Sequence, residues 1–495
     1  MRISYIPSFI AFQSIKGQKF LTLLHKIPMD LPMFRSALLL LSGNAFSSLM
    51  LLVRNLLVAR LISVEDYGIA ATFALSMAIV EMISQLGLQQ LIVQAKDGED
   101  PKLQAGLQGF QALRGLLAGG FLLLIAYPLA NFLGVPEVAW AYQLMALVPV
   151  LNGFVHFDVF RLQRQMIYLP HILTISVPAL VSVALVWPLN GIFGDYRVML
   201  YAVLAQGVLT LVTSHLVAKT RYRATLDRSI MARGLGFGWP LLINGLLLFA
   251  VFNGEKLVIG RELGMVPLAM FAMGFTLTLT PTLVLARSLQ SFFLPQLSAA
   301  NDPDRFERIG AATIQANILN GLLQIAAIML LGPLLVESVL GEKYAPLVPL
   351  LLWLSILQAV RVFKSGPAVV ALAKAKTDNA MWANLCRVAS LPLSWYLAAN
   401  GYDLINIIWV AIGAELVAMC VSLFLLGRRV GYPLSRVWGS IAVALGFMVA
   451  LALRDWFAQD GAAPIWTSAV CIAMFGLSLA SMTALKGYVM ARVAR

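Results

Sequence analysis

The chain has 495 residues, of which 60% are hydrophobic and only 12% charged, with a formal net charge of +13. Soluble domains carry roughly 25% charged residues, so this composition excludes one and describes an all-α polytopic membrane protein. The apolar runs are continuous rather than alternating, which excludes an outer-membrane barrel, and the basic excess has no soluble face on which to form a nucleic-acid patch.

Residues 1–35 carry Lys16, Lys19 and Lys26 among Phe20, Leu21, Leu23 and Leu24. They lack the uninterrupted apolar core and cleavage site of a signal peptide and read as a cytoplasmic amphipathic tail, with Met29 or Met33 as alternative starts. About 14 transmembrane helices follow. Their cores are 36–59, 69–94, 104–133, 138–160, 169–191, 198–218, 235–254, 266–289, 311–336, 346–370, 380–398, 404–427, 437–453 and 465–485. On the first of these, Asn44, Ser47, Ser48, Arg54 and Asn55 share one face at 100° per residue, opposite Leu, Ala, Met, Phe and Val.

With both termini cytoplasmic, the inside holds roughly 25 Lys and Arg and the outside about 6, as the positive-inside rule requires. A missed or added helix would reverse every later loop and spoil that ratio. The most basic inside loop, 219–234, contains Lys219, Arg221, Arg223, Arg228 and Arg233. It divides the chain into two parallel six-helix lobes, 36–218 and 235–427, followed by a C-terminal helix pair with a basic tail, 428–495. The lobes look like copies. At an offset of about 201, Arg60 falls over Arg261 and Arg54 over Glu255; Glu99-Asp100-Pro101 matches Asn301-Asp302-Pro303, and Leu133-Gly134 matches Leu340-Gly341.

Cys386, Cys420 and Cys471 lie inside apolar runs, with neither a disulfide framework nor zinc spacing. No loop is long enough for a folded catalytic domain and no GxxxxGK[ST] loop is present, so the chain reads as a transporter and not an enzyme. No cofactor is implied.

Ionisable residues are costly at mid-helix. Arg54, Arg114, Arg361, Lys364 and Arg387 fall within spans, against Glu81, Asp158 and Glu415. Each cation can be structural, paired with an acid or snorkelling to the headgroups. Together the five outnumber the three carboxylates, which favours a basic, water-filled cavity for an anionic substrate. Gln111, Gln358, Asn384, Ser390 and Ser394 share faces with Arg114, Arg361 and Arg387. Glu81, and Glu255 beside Lys256, are candidates for coupling a proton or sodium ion; Glu415 is a further proton site or a partner for Arg387. Asp158 pairs with Arg161 at the cytoplasmic end of its span, and His156 points away from it. Lys364-Ser365-Gly366-Pro367 reads as a hinge or as an ordinary proline kink.

Four stretches carry a family resemblance: VARLISVEDYGIAA (58–71), GEKLVIGRELG (254–264), FFLPQLSAANDPDRF (292–306) and VLGEKYAPLVPLLLWLSIL (339–357). Over residues 36–427 the chain resembles bacterial polysaccharide transporters, the Wzx-type oligosaccharide flippases of the multidrug/oligosaccharidyl-lipid/polysaccharide superfamily. It departs from them in having Glu255 in place of Asp and Val64 in place of Pro. The resemblance implies a V-shaped bundle in the bacterial inner membrane that moves an undecaprenyl-diphosphate-linked oligosaccharide to the outer leaflet, among membrane lipids and beside polysaccharide polymerase machinery. Its diphosphate suits the basic cavity of Arg54, Arg114, Arg361, Lys364 and Arg387. A peptidoglycan-precursor flippase and a drug or cation antiporter of the same superfamily are the alternatives.

Overall fold

Spanning a bilayer requires every backbone polar group to be bonded within the protein, and the helices here meet that demand segment by segment. The structure, a computed structural model, describes residues 31–84, 86–458 and 465–493; the amphipathic reading of residues 1–30 lies outside them. All regular elements among the described residues are helices: α1 (Leu31–Leu61), α2 (Val64–Ser84), α3 (Leu88–Gln94), α4 (Pro101–Phe132), α5 (Ala139–Met145), α6 (Leu147–Gly153), α7 (Asp158–Arg164), α8 (Leu169–Ile192) and α9 (Arg197–Val217) in the first half. The second half contains α10 (Arg228–Glu262), α11 (Met265–Ser298), α12 (Pro303–Leu335), α13 (Val348–Ala373), α14 (Asp378–Val388), α15 (Leu391–Ala399), α16 (Leu404–Val430), α17 (Ser435–Ala458), α18 (Ile465–Ser481) and α19 (Thr483–Val493). Nine described helices are long and apolar enough to cross a membrane, and up to eleven if each of two bent pairs is one span.

Each expected span coincides with a helix or a group of helices, but four are broken rather than continuous. The fourth shows why a break survives in the membrane. Residues 136–153 and 158–164 meet at 49°, and the backbone groups freed between them are met by side chains of α4 and α9. Gln108 Oε1 accepts from Phe157 N at 2.8 Å and its Nε2 donates to Val155 O at 3.1 Å. Gln111 Nε2 donates to Asn152 O at 3.0 Å, and Ser214 Oγ accepts from His156 N at 3.0 Å. Gln111 therefore serves the break as well as sharing the face of Arg114. His156 sits in the turn, where its Nδ1 accepts from Asp158 N at 3.1 Å. Asp158 and Arg161 pair at 2.6 Å, and Asp158 Oδ2 also accepts from Lys219 N and Thr220 N.

In the first half α8 packs on α1 and α9, and α4 on α6; in the second, α13 packs on α11, α12 and α16, and α14 on α16. The two meet where α2 lies against α10 and α11. Gly68 makes that approach possible: a Cβ there would sit 2.1 Å from Met265 O. One apolar core crosses the junction, with Val58, Phe73 and Tyr142 on one side and Ile259, Phe271 and Leu354 on the other.

Helix α10 extends past the expected 235–254 in both directions and divides its length between the halves. Its beginning packs on α3 and α4 through Gly234 and Gly238, and its end on α15, where Gly254 faces Leu391. The matched sequence stretches also adopt matched local structure. Asp100 and Asp302 each cap a helix whose first residue is proline, accepting from Lys102 N at 2.9 Å and Arg305 N at 3.0 Å. Gly134 and Gly341 each end a helical stretch at positive φ.

Candidate functional site

Two adjoining cavities of about 380 and 370 Å³ run through the first half of the bundle, sharing Met77, Glu81, Asn152 and Thr210 in their walls. Three cations face them. Arg54 comes from the polar face of α1, is buried, and donates from Nη1 to Gln206 Oε1 at 2.5 Å. Its Nε makes no hydrogen bond and no carboxylate pairs with it among the described residues. Arg114 comes from α4. Lys256 comes from α10, so it reaches the cavity from the other half of the molecule; its Nζ lies 4.9 Å from the centre of the Phe275 ring, with Asn253 Oδ1 at 3.4 Å. Among the described residues, Glu81 on α2 is the one carboxylate lining either cavity. The wall thus carries three positive side chains against one negative, a water-accessible surface suited to an anion.

The remaining candidates form a second group that lines neither cavity and adjoins the wall at Phe275, whose ring lies 4.9 Å from Lys256 Nζ and 5.5 Å from the Arg361 guanidinium. On α13, Arg361 and Lys364 share a face at i, i+3, and both point at Glu415 of α16. Arg361 Nε lies 2.8 Å from Glu415 Oε1, and Lys364 Nζ lies 2.9 Å from Glu415 Oε2. Arg387, the penultimate residue of α14, donates from Nε to Glu415 Oε1 at 3.3 Å and from Nη2 to Glu255 of α10. Neutral partners complete the network: Gln358 for Arg361, Asn384 for Lys364 and Ser390 for Arg387. Glu255 is 1% exposed, Arg387 1% and Glu415 0%. Four helices are tied together by five charges, and α13 continues unbroken through Pro367, with Gly366 packed on Ile314 of α12.

The structure thus divides the five sequence-derived cations: Arg54 and Arg114 face the cavities, while Arg361, Lys364 and Arg387 are in ion pairs. Of the three candidate coupling carboxylates, Glu81 faces the cavity and Glu255 and Glu415 lie in the buried network. Lys256 is the residue sequence reasoning named only as the neighbour of Glu255. Its signal was faint, a lysine beside a glutamate at the end of an apolar run, and the packing of α10 against α2 is what sets it in the cavity wall.

Both faces carry contacts between the halves. On the face assigned to the outside, Lys343 Nζ donates to Arg60 O at 2.9 Å and to Ile62 O, at the end of α1. Arg261 Nη1 donates to Phe132 O at 2.9 Å and Asn131 O at 3.4 Å, at the end of α4. On the opposite face, Arg233 makes a fork of 2.6 and 2.8 Å with Asp97, which lowers that carboxyl to about 2.

A family model described as a polysaccharide biosynthesis protein matches residues 57–349. Among solved structures, the lipid II flippase MurJ in an inward closed conformation aligns with a TM-score of 0.67 at 13% identity, over 92% of this chain and 100% of that one. A multidrug resistance MATE family transporter of the MOP superfamily, in an inward-facing conformation, aligns with a TM-score of 0.63 at 16% identity, over 78% and 94%. The eukaryotic MATE transporter AtDTX14 aligns at 0.53 and 18% identity, over 81% and 97%. No curated protein sequence matches the chain. At these identities the structural likenesses establish the fold.

Proposed function

The chain belongs to the polysaccharide biosynthesis protein family and has the fold of the MOP-superfamily transporters, and from that premise we propose that it is a flippase for an undecaprenyl-diphosphate-linked oligosaccharide. The observation that carries this reading is the cation-rich cavity, with Arg54, Arg114 and Lys256 facing it against Glu81 as the one carboxylate among the described residues. A diphosphate supplies the negative charge such a wall attracts, while the lipid tail stays in the bilayer. The arginine forks can each take two phosphate oxygens. Lys256 lies across the junction from Arg54, so a bound diphosphate would draw the two halves together, and alternating access follows from rocking one lobe against the other.

Arg361, Lys364 and Arg387 act in this scheme as a rigid tie holding α10 to the second lobe. Glu81 is the carboxylate placed to exchange a proton or sodium ion with the cavity. A drug or cation antiporter would need an acidic wall, and the observed balance is the reverse.

The test is to delete the gene in its native host and identify the lipid-linked sugars that accumulate on the cytoplasmic side. A diphosphate-linked oligosaccharide supports the proposal; accumulation of the peptidoglycan precursor instead would reassign the substrate, and drug sensitivity without any glycolipid would end the flippase reading. Complementation with Arg54→Glu should fail at normal expression levels, and full activity of that variant would remove the cationic site from the mechanism.

A further inference from the structure

The irregular segment 218–227, between α9 and α10, is pinned to the first half of the bundle. Asp158 Oδ2 accepts from Lys219 N at 2.7 Å and Thr220 N at 3.2 Å, and Thr225 N donates to Ala105 O of α4 at 3.0 Å. Gly109 lets the chain lie directly on α4, since a Cβ there would sit 2.2 Å from Thr225 O. Between these anchors successive side chains take opposite sides. Arg221 and Arg223 line a cavity of about 360 Å³, whereas Tyr222 lines a separate groove of about 460 Å³.

The cavity has positive charge to spare. In its wall Arg161 pairs with Glu99 at 3.0 Å; Arg161 also pairs with Asp158 at 2.6 Å, and Glu99 with Arg164 at 3.6 Å, so these four balance. Arg221 and Arg223 are exposed and have no ion pair or hydrogen bond among the described residues. Two permanently charged forks therefore face accessible space. The groove is apolar by contrast. Val212 and Leu216, i, i+4 in the last two turns of the spanning helix α9, are 46% and 79% exposed along it. Only rings separate groove from cavity: His156, in the cavity wall, lies 5.2 Å from His215 and 5.5 Å from Tyr222, both in the groove.

We propose that this pair of surfaces binds one anionic phospholipid of the cytoplasmic leaflet, its phosphate on Arg221 and Arg223 and one acyl chain along Val212 and Leu216. Each arginine fork can take two phosphate oxygens, and a basic pocket at the membrane surface draws anionic lipid heads. A water-soluble phosphate would use the arginines and leave the groove bare; a phospholipid uses both. The site shares no lining residue with the cavities of Arg54, Arg114 and Lys256, and its existence does not depend on what those cavities carry.

Native mass spectrometry of the full-length protein, delipidated in detergent, tests this. Offered equal amounts of phosphatidylglycerol and phosphatidylcholine, the parent should retain phosphatidylglycerol preferentially. The double variant Arg221→Gln, Arg223→Gln should lose that preference by roughly fivefold per arginine. It removes no intramolecular contact, and an unchanged Tm in lipid-free detergent separates loss of lipid from loss of fold. The control Arg305→Gln, Arg308→Gln takes two exposed cations from the corresponding end of the second half and should keep the preference. Leu216→Asp, which puts a charge in the groove, should weaken retention with both arginines in place. Equal losses in the two double variants would reduce the effect to diffuse surface charge and overturn the site. Full retention in Leu216→Asp, or displacement of the lipid by an equal concentration of glycerol 3-phosphate, would remove the groove and overturn the lipid as occupant. Stronger retention of undecaprenyl diphosphate, lost with Arg221 and Arg223, would make this an entry point for a carrier lipid and overturn the phospholipid assignment.

Discussion

Arg387 joins two carboxylates on two different helices, Glu255 of α10 and Glu415 of α16, while itself 1% exposed. Removing one member of a buried pair costs about 3 to 5 kcal/mol, chiefly because the other charge is stranded. The Arg387→Met variant should therefore lose much of its thermal stability and run as aggregate on size-exclusion chromatography. The double variant Arg387→Met, Glu255→Met should recover a large share of that loss, because the stranded carboxylate goes with its partner. Recovery by the double variant would mark Arg387 as structural; equal instability of both would mean that Glu415 or the packing dominates. Arg54 stands in a different position. It is held by the amide of Gln206 without a paired carboxylate and faces open space, so its replacement falls on transport more than on stability.

Among the elements, α2 and α11 meet at a position with no room for a methyl group. At Gly68, Cβ would lie 2.1 Å from Met265 O, a backbone atom that cannot swing aside. Gly68→Ala should therefore push the two helices apart, lowering Tm and yield, whereas an alanine at Gly120, which has nothing within 4 Å, should leave both unchanged. How far such features can be read from sequence depends on the range over which the physics acts. Spans were legible because an apolar run of about 20 residues has few alternatives to crossing the bilayer. The matched caps, Asp100-Pro101 and Asp302-Pro303, were legible because they use short-range chemistry. The break at 154–157 was not, since the residues that satisfy it, Gln108 and Ser214, lie about fifty residues away on either side. The division of the five cations was hidden for the same reason: Glu255 and Arg387 are 132 positions apart, and only the packing of α10 on α14 brings them together.

At the scale of the whole molecule, two contacts hold the halves together on the face assigned to the outside. Arg261, in the last turn of α10, donates to the final carbonyls of α4, and Lys343 donates to the final carbonyls of α1. Cations at helix C-termini satisfy carbonyls that have no partner of their own and favour the negative end of the helix dipole, each contact being worth roughly 0.5 to 1 kcal/mol at a partly exposed site. Under the proposed rocking of one lobe against the other, opening the cavity on that face breaks both. The double variant Arg261→Ala, Lys343→Ala should then shift the equilibrium toward the outward-open state by roughly 1 to 2 kcal/mol, a factor of about 5 to 30. A reporter is available in Thr276, which lines the cavity next to Arg54 and Lys256. With Cys386, Cys420 and Cys471 replaced by serine or alanine, Thr276→Cys should react with a membrane-impermeant thiol reagent applied outside intact cells several-fold faster in the double variant than in its parent. Labelling at the parent's rate would show that these contacts do not govern opening. Faster labelling from the inside alone would reverse the sidedness derived from the loop charges.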